Sequence, residues 1–262
     1  MNIFKRIIKI RERFKKVKGL MQFLRRFKGL MQLQNRFMKI LTRLFDRPQW
    51  KNLRSTRPVS SINGFDRGTP IDRVYIEDFL EKNRAVITGI VCEVDDATYS
   101  KIYGNNIIKY EILDVSNNNP QATIVADLSK IELLPHNKID CFICTQTLHL
   151  IYDFKAAING IYAMLKVGGI VLATVPGISQ ICRDDLQRWG DYWRFTVLSI
   201  QKAFEEIFGK GNVDVDFYGN VLSSIAFLEG IAVEELTREE LFFKDADYQM
   251  IIVVKAIKQK NT

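Results

Sequence analysis

Three acidic residues close apolar runs in the middle of the chain. Glu93 lies near the end of AVITGIVCEV (85–94), Asp114 near the end of IIKYEILDV (107–115), and Asp127 directly follows ATIVA (122–126). A carboxylate is an acceptor-only group, suited to paired hydroxyls or an amino group. His149 follows a fourth apolar run at 139–144. Its ordinary pKa near neutrality suits it to proton removal from a hydroxyl; the alternative is a packed histidine at a helix start. Arg67, Asp72 and Arg73 surround a helix start near Pro70, where they either bind a polar acceptor or form a capping and salt-bridge network. Arg188, Trp189, Asp191, Tyr192 and Arg194 cluster in RWGDYWR (188–194), a surface on which a sugar or aromatic ring can stack. The competing reading has Trp193 and Phe195 plugging the core where Thr196 caps a helix. Cys141 and Cys144 form C-x-x-C within a strand-like run, so they face opposite ways. No redox pair or metal site is expected, and the four cysteines read as core residues in a reducing cytosol.

These residues need a scaffold, and the pattern around them supplies one. Residues 71–83 read as a helix, with Pro70 suited to its first turn. Short apolar runs at 85–94, 107–115, 122–126, 139–144 and 170–175 read as strands, followed by late strands at 213–218 and 248–257. Helical patterns at 154–165 and 196–208 lie between them. Strand–helix alternation implies a doubly wound α/β fold whose seven-stranded sheet is mostly parallel. Ligands of such sheets bind outside the carboxyl ends of the strands, where the acids above fall.

Charge divides the chain. The formal net charge is +8, yet residues 1–45 alone carry 14 Lys/Arg and a single acid, Glu12. The rest is acidic. Ile3, Ile7, Ile10, Phe14, Val17, Met21 and Leu24 recur at helical spacing, so 1–45 reads as a basic amphipathic helical extension. Three readings stay open for it: an interfacial helix on an anionic membrane surface, a docking or coiled-coil helix for a protein partner, or a solvated tail. Its aliphatic stripe argues against nucleic acid, which asks for exposed aromatics. Residues 46–63, with two prolines and no periodicity, read as a linker, leaving 64–262 as the globular domain. No stretch is long and apolar enough to span a bilayer; the cysteine usage points to the cytoplasm, and the basic arm to a peripheral place at the inner face of the membrane.

The stretch 127–176 resembles the central motifs of class I S-adenosylmethionine-dependent methyltransferases. It has an acid after strand three, LPHNKID entering strand four, and LKVGG before strand five. GDYWRFT (190–196) and GFDRGTPIDR (64–73) resemble blocks of a bacterial subset linked to glycan biosynthesis. The resemblance implies a Rossmann-like methyltransferase fold with S-adenosyl-L-methionine as cofactor. It implies that Asp114 accepts from the ribose hydroxyls, and that Asp127 accepts from the adenine amino group with the Leu128 N–H facing the ring. Glu93, Val94, Asp95 and Val115 would line the same site, and Thr145 and Gln146 would lie beside the methionine moiety. One departure stands out. The glycines expected after strand one are replaced by Asp95 and Ala97, in EVDDA (93–97).

The expected activity is methyl transfer to an oxygen of a small polar acceptor, a sugar or lipid-linked glycan. The alternative is a non-catalytic methyltransferase-like scaffold recruited through its basic arm. A dinucleotide-dependent enzyme needs G-x-G-x-x-G after strand one, and no glycine lies between Val91 and Tyr103.

Overall fold

The computed structural model describes residues 54–260, together with Phe37 and Leu41. The basic arm as read from sequence therefore lies outside the described residues. The globular unit begins at Arg57, seven residues before the expected start. Ser60 is buried; its N–H donates to the Glu229 carbonyl (3.0 Å) and its hydroxyl to Asp66 (2.5 Å). The last residues of the expected linker are thus part of the domain.

Seven strands form one sheet: β1 (Gly89–Val94), β2 (Ile107–Asp114), β3 (Ile124–Val125), β4 (Ile139–Thr145), β5 (Leu165–Pro176), β6 (Val213–Tyr218) and β7 (Ile251–Ile257). Their order is β3-β2-β1-β4-β5-β7-β6. The first five strands pair in parallel, and β7 runs antiparallel to both β5 and β6. β4 is almost wholly buried, as a central parallel strand covered on both faces must be. The strand order reverses between β1 and β4, so the crevice for a ligand opens above β1.

Four of the expected strands differ by more than one residue: β1 begins at Gly89 rather than 85, because Arg84–Val86 form a 3-10 turn, β7 begins at Ile251 rather than 248, and β3 and β5 also change. β3 has two residues rather than five; at its start the Thr123 N–H still donates to the Ile112 carbonyl (2.9 Å), but the Ile112 N–H turns to the Thr123 side chain. Thr123 Oγ1 accepts from it (2.9 Å) and donates to Glu111. β5 begins five residues early, at Leu165, which cuts the preceding helix at Met164.

Helices α1 (Ile71–Lys82), α2 (Thr98–Tyr103), α3 (Phe154–Met164), α4 (Arg183–Arg188), α5 (Val197–Phe208), α6 (Val221–Glu229) and α7 (Arg238–Phe242) complete the described domain. Residues of α3 and α5 pack with Cys92, Phe142, Cys144 and Ala173 on one face. Residues of α1, α6 and α7 pack with Val91, Cys141, Ile143 and Leu172 on the other. The two cysteines of C-x-x-C sit in these opposite layers, and burial pushes both thiols up to about 12. They are inert core groups.

Candidate active site

The turn after β1 is set by Asp95, which adopts φ +72°. This left-handed conformation favours glycine, but aspartate tolerates it better than most residues. The missing glycine is therefore replaced in its backbone role. Glu93 shapes the same turn. It is buried, and its two oxygens accept the N–H groups of Tyr99 (3.1 Å) and Ser100 (2.8 Å) at the start of α2. Burial pushes its carboxyl up, and these two N–H groups oppose the shift. Glu93 thus holds the turn, each oxygen accepting from the protein's own backbone.

Asp114 stands beside Asp95. Its Oδ1 accepts from the Ser116 N–H (2.8 Å) and its Oδ2 from the Asn119 amide (2.9 Å). The same Asn119 nitrogen donates to the Asp95 carbonyl (2.6 Å), clamping the tips of β1 and β2 together. Asn119 had no place among the expected site residues; its only signal was the run Asn117-Asn118-Asn119. Each Asp114 oxygen keeps a second lone pair for a ligand hydroxyl. Desolvation, then the charges of Asp114 and Asp96, push the Asp95 carboxyl up, and the Arg188 guanidinium opposes them. The tips of β1 and β2 thus gather negative charge at Asp95, Asp96 and Asp114.

Asp127 follows β3. Its Oδ1 accepts both Ser129 donors, N–H (2.8 Å) and hydroxyl (2.7 Å), an Asx turn that fixes the carboxylate. The adjoining Leu128 is buried under α3, where Gly160 makes the approach possible. A Cβ there would meet the Leu128 carbonyl oxygen at 2.1 Å. Glycine inside a helix is unfavourable by about 1 kcal/mol relative to alanine, and this contact explains its presence. Gly160→Ala is expected to push the 127–129 loop outward, destabilise the domain by about 1–3 kcal/mol as overpacking does, and weaken binding of S-adenosylhomocysteine. Thermal denaturation and calorimetry check both halves.

At the tip of β4, Gln146 adopts φ +46°, a conformation costing a non-glycine residue about 1–2 kcal/mol. Its N–H donates to the Thr174 carbonyl (2.9 Å), and its amide nitrogen donates to the Thr174 hydroxyl (3.2 Å). Strain held in place by such bonds is characteristic of functional positions. Thr145 precedes it, half-buried, its carbonyl accepting from Thr147 Oγ1 (2.9 Å). Val94 is half-buried and Val115 exposed.

His149 is 7% exposed. Burial lowers its pKa to about 4, and the Asp191 carboxylate opposes that shift. Its Nδ1 has no hydrogen-bond partner. Buried and neutral at physiological pH, it is a weak proton acceptor. Its carbonyl instead accepts the Tyr192 N–H (2.9 Å) and the Trp193 N–H (3.3 Å), tying the loop after β5 to the tip of β4. A folded pKa below the ordinary 6.5 means the unfolded chain binds the proton more readily. Stability is therefore full above pH 6.5 and falls as pH drops toward 4. Between pH 7 and pH 5 this group removes roughly 2 kcal/mol. Urea denaturation at the two pH values reads the loss, and His149→Phe is expected to flatten it.

Three further expected acceptor ligands are engaged elsewhere. Arg67 holds Glu235 with both arms of its fork (2.8 and 2.5 Å), and Glu235 is held down at about 2 by that contact. Asp191 and Arg194 form a bidentate pair (2.5 and 2.9 Å). Arg194 also donates to the carbonyls of Ser179, Gln180 and Trp193, which accounts for all five guanidinium donors. Both residues are structural braces. Arg73 donates to the Tyr99 hydroxyl (2.9 Å), joining α1 to α2, and Asp72 is half-buried beside it, its carboxyl pushed up by desolvation against the pull of Arg73. Trp189 and Tyr192 are exposed. Tyr192 meets the exposed Tyr152 edge-on, ring centroids 5.5 Å apart, and Arg188 lies over the Trp189 ring (5.7 Å).

A doubly wound sheet with acids after β1, β2 and β3 defines a Rossmann-like domain. Residues 85–173 match the family described as a methyltransferase domain. The chain thus carries a methyltransferase domain, and S-adenosylmethionine is its cofactor. No curated protein matches it in sequence. Among solved structures it is similar to the [4+2]-cyclase SpnF, with 15% identity over 78% of this chain and 90% of that one, at a TM-score of 0.49. A SAM-dependent methyltransferase from Archaeoglobus fulgidus shares 12% identity over 71% and 94%, at 0.46. An S-adenosylmethionine-dependent methyltransferase from Mesorhizobium loti shares 17% over 71% and 99%, at 0.47. The residues present fit the cofactor. Desolvation, then the charges of Asp114 and Asp96, push the Asp95 carboxyl up, a setting that a cationic group would relieve, and Asp114 and Asp127 keep lone pairs for donor groups of a ligand.

Proposed function

We propose that this chain methylates an oxygen of a small polar acceptor, a sugar or lipid-linked glycan, at the inner face of a membrane that residues 1–45 help it reach. When bound, S-adenosylmethionine supplies an already activated methyl group, so the protein's task is alignment and exclusion of water. In this reading Asp114 accepts the ribose hydroxyls, Asp127 accepts the adenine amino group, and the Leu128 N–H faces the ring. Val94 and Val115 flank the adenosyl group. Asp95 stands toward the cationic methionine half, with Thr145 and Gln146 beside it.

The acceptor lies across Trp189 and Tyr192, whose exposed rings offer a sugar an apolar face, with Arg188 and Arg73 available to polar substituents and Asp72 behind them. His149 positions this shelf through its carbonyl. The observation that carries the reading is the Asn119 clamp, which sets Asp114 beside the left-handed Asp95 turn.

The test uses the full chain with methyl-labelled S-adenosylmethionine and a membrane lipid extract. Label is expected in the organic phase, released by mild acid as a water-soluble sugar. Label confined to protein, nucleic acid or amine headgroups would overturn the acceptor assignment.

A further inference from the structure

Helix α6 seats Ala226 and Phe227 in the core beside the buried Ser223 and Ser224, yet Val221, Leu222, Ile225 and Leu228 are 37–46% exposed. A helix at a protein surface ordinarily turns its aliphatic stripe inward. Positions 221, 225 and 228 follow helical spacing, so the outward residues form one continuous stripe. The segment beside its C-terminal end carries Ile62 and Phe65, 53% and 60% exposed. The segment carrying them is fastened there by the Ser60 N–H on the Glu229 carbonyl and by the close approach of Gly64 to the Gly230 carbonyl, which a Cβ at Gly64 would meet at 3.0 Å. Clustered exposed aliphatics of this kind mark an interaction surface.

We infer that this face is a membrane-contacting surface that lays α6 and the 62–65 segment into the interfacial layer of an anionic bilayer. Two observations choose that occupant. The chain enters the domain at Arg57, directly before this face, and the 45 residues at its start carry 14 Lys/Arg with an aliphatic stripe. Such a segment supplies the electrostatic attraction to anionic lipid that an apolar patch alone lacks. The start of the helix shares an end of the sheet with the candidate site, on the edge strand β6. β6 runs antiparallel to β7, as β5 does, so β6 is parallel to β5 and α6 begins at the end of the sheet where Asp95, Asp114 and Gln146 lie. The purpose of the contact rests on the lipid-linked acceptor proposed above; the contact itself does not.

The test is flotation of the full chain with phosphatidylcholine vesicles, with and without one part in four phosphatidylglycerol. Wild type is compared with Leu222→Ser/Ile225→Ser/Leu228→Ser and with the single variant Ile225→Asp, the arm being intact in all. Each of these side chains is more than half covered, so the triple variant should melt a few degrees lower while S-adenosylhomocysteine binding stays at the wild-type value, and that binding reads the methyltransferase assignment separately. Wild type should float on the anionic vesicles, and the triple variant should partition about tenfold less, given the apolar area removed. Equal flotation of wild type and triple variant would overturn the inference while leaving a membrane role for the arm. Absence of wild-type flotation would overturn it too, as would a wild-type dimer that the triple variant converts to monomer, which would make the face a self-interface.

Discussion

Asp114→Ala is expected to lower the affinity for S-adenosylhomocysteine by about a hundredfold while leaving the domain folded. Two ribose hydroxyls donating to one carboxylate are charge-assisted hydrogen bonds, each contributing about 1.5–3 kcal/mol. Loss of about 3 kcal/mol corresponds to two orders of magnitude in Kd. Asp114→Asn keeps one acceptor oxygen and should fall between, at about tenfold. The structure also supplies a control. Asp114 anchors the 115–121 loop through Ser116 and Asn119, so part of any loss could come from loop disorder. Asn119→Ala removes the clamp to the Asp95 carbonyl and keeps the carboxylate. If ligand contact dominates, Asn119→Ala loses far less than Asp114→Ala; if the loop dominates, the two lose alike. Calorimetry on the three variants separates these cases, and an Asp114→Ala protein within threefold of wild type would contradict the assignment of the ribose site.

Much of the scaffold was legible because it rests on local pattern. The β-branched runs at β1 and β2 and the unbroken apolar run at β4 state their burial in their composition. Opposite facing of Cys141 and Cys144 follows from strand geometry alone. The site was less legible because its chemistry depends on distant partners. Arg67 looks like a free cation beside a helix start, yet its partner Glu235 lies 168 residues away. Asp95 looked like the loss of a required glycine, and only its backbone dihedral shows that the turn survives. His149 looked like a base tuned near neutrality, but burial decides its pKa, and burial is a tertiary property. Gly160 offered a usable hint, since a glycine inside a helical pattern usually has a packing reason. Helix α6 offered none, because its stripe is regular and only the structure shows which side faces out.

The second large effect is expected at Arg194, the brace of the loop after β5. The Asp191 side chain is 1% exposed. Burial by itself raises its pKa, but the hydrogen bonds and charge of Arg194 outweigh burial and hold the carboxyl below its ordinary value. Arg194→Ala would leave that carboxylate uncompensated and three carbonyls without their donors, at Ser179, Gln180 and Trp193. Breaking a buried pair from one side destabilises by about 3–5 kcal/mol, which for a domain of this size lowers Tm by about 10 °C. Arg194→Lys should recover little, since an ammonium cannot reproduce the planar five-donor fork. Asp191→Ala combined with Arg194→Ala should recover part of the loss by removing the stranded charge. A group whose folded pKa is depressed stabilises above its unfolded pKa and loses that contribution as pH falls through the folded value. The gap between wild type and Arg194→Ala should therefore be full at pH 7 and shrink below about pH 4. Urea denaturation across that range measures it; a pH-independent gap would mean that the carbonyl contacts, and not the ion pair, hold the loop. Trp189 and Tyr192 ride on the same loop, with the Tyr192 N–H on the His149 carbonyl. The variant should therefore raise the KM for acceptor at temperatures where it is still folded, while affinity for S-adenosylhomocysteine at the β1 and β2 tips stays close to wild type.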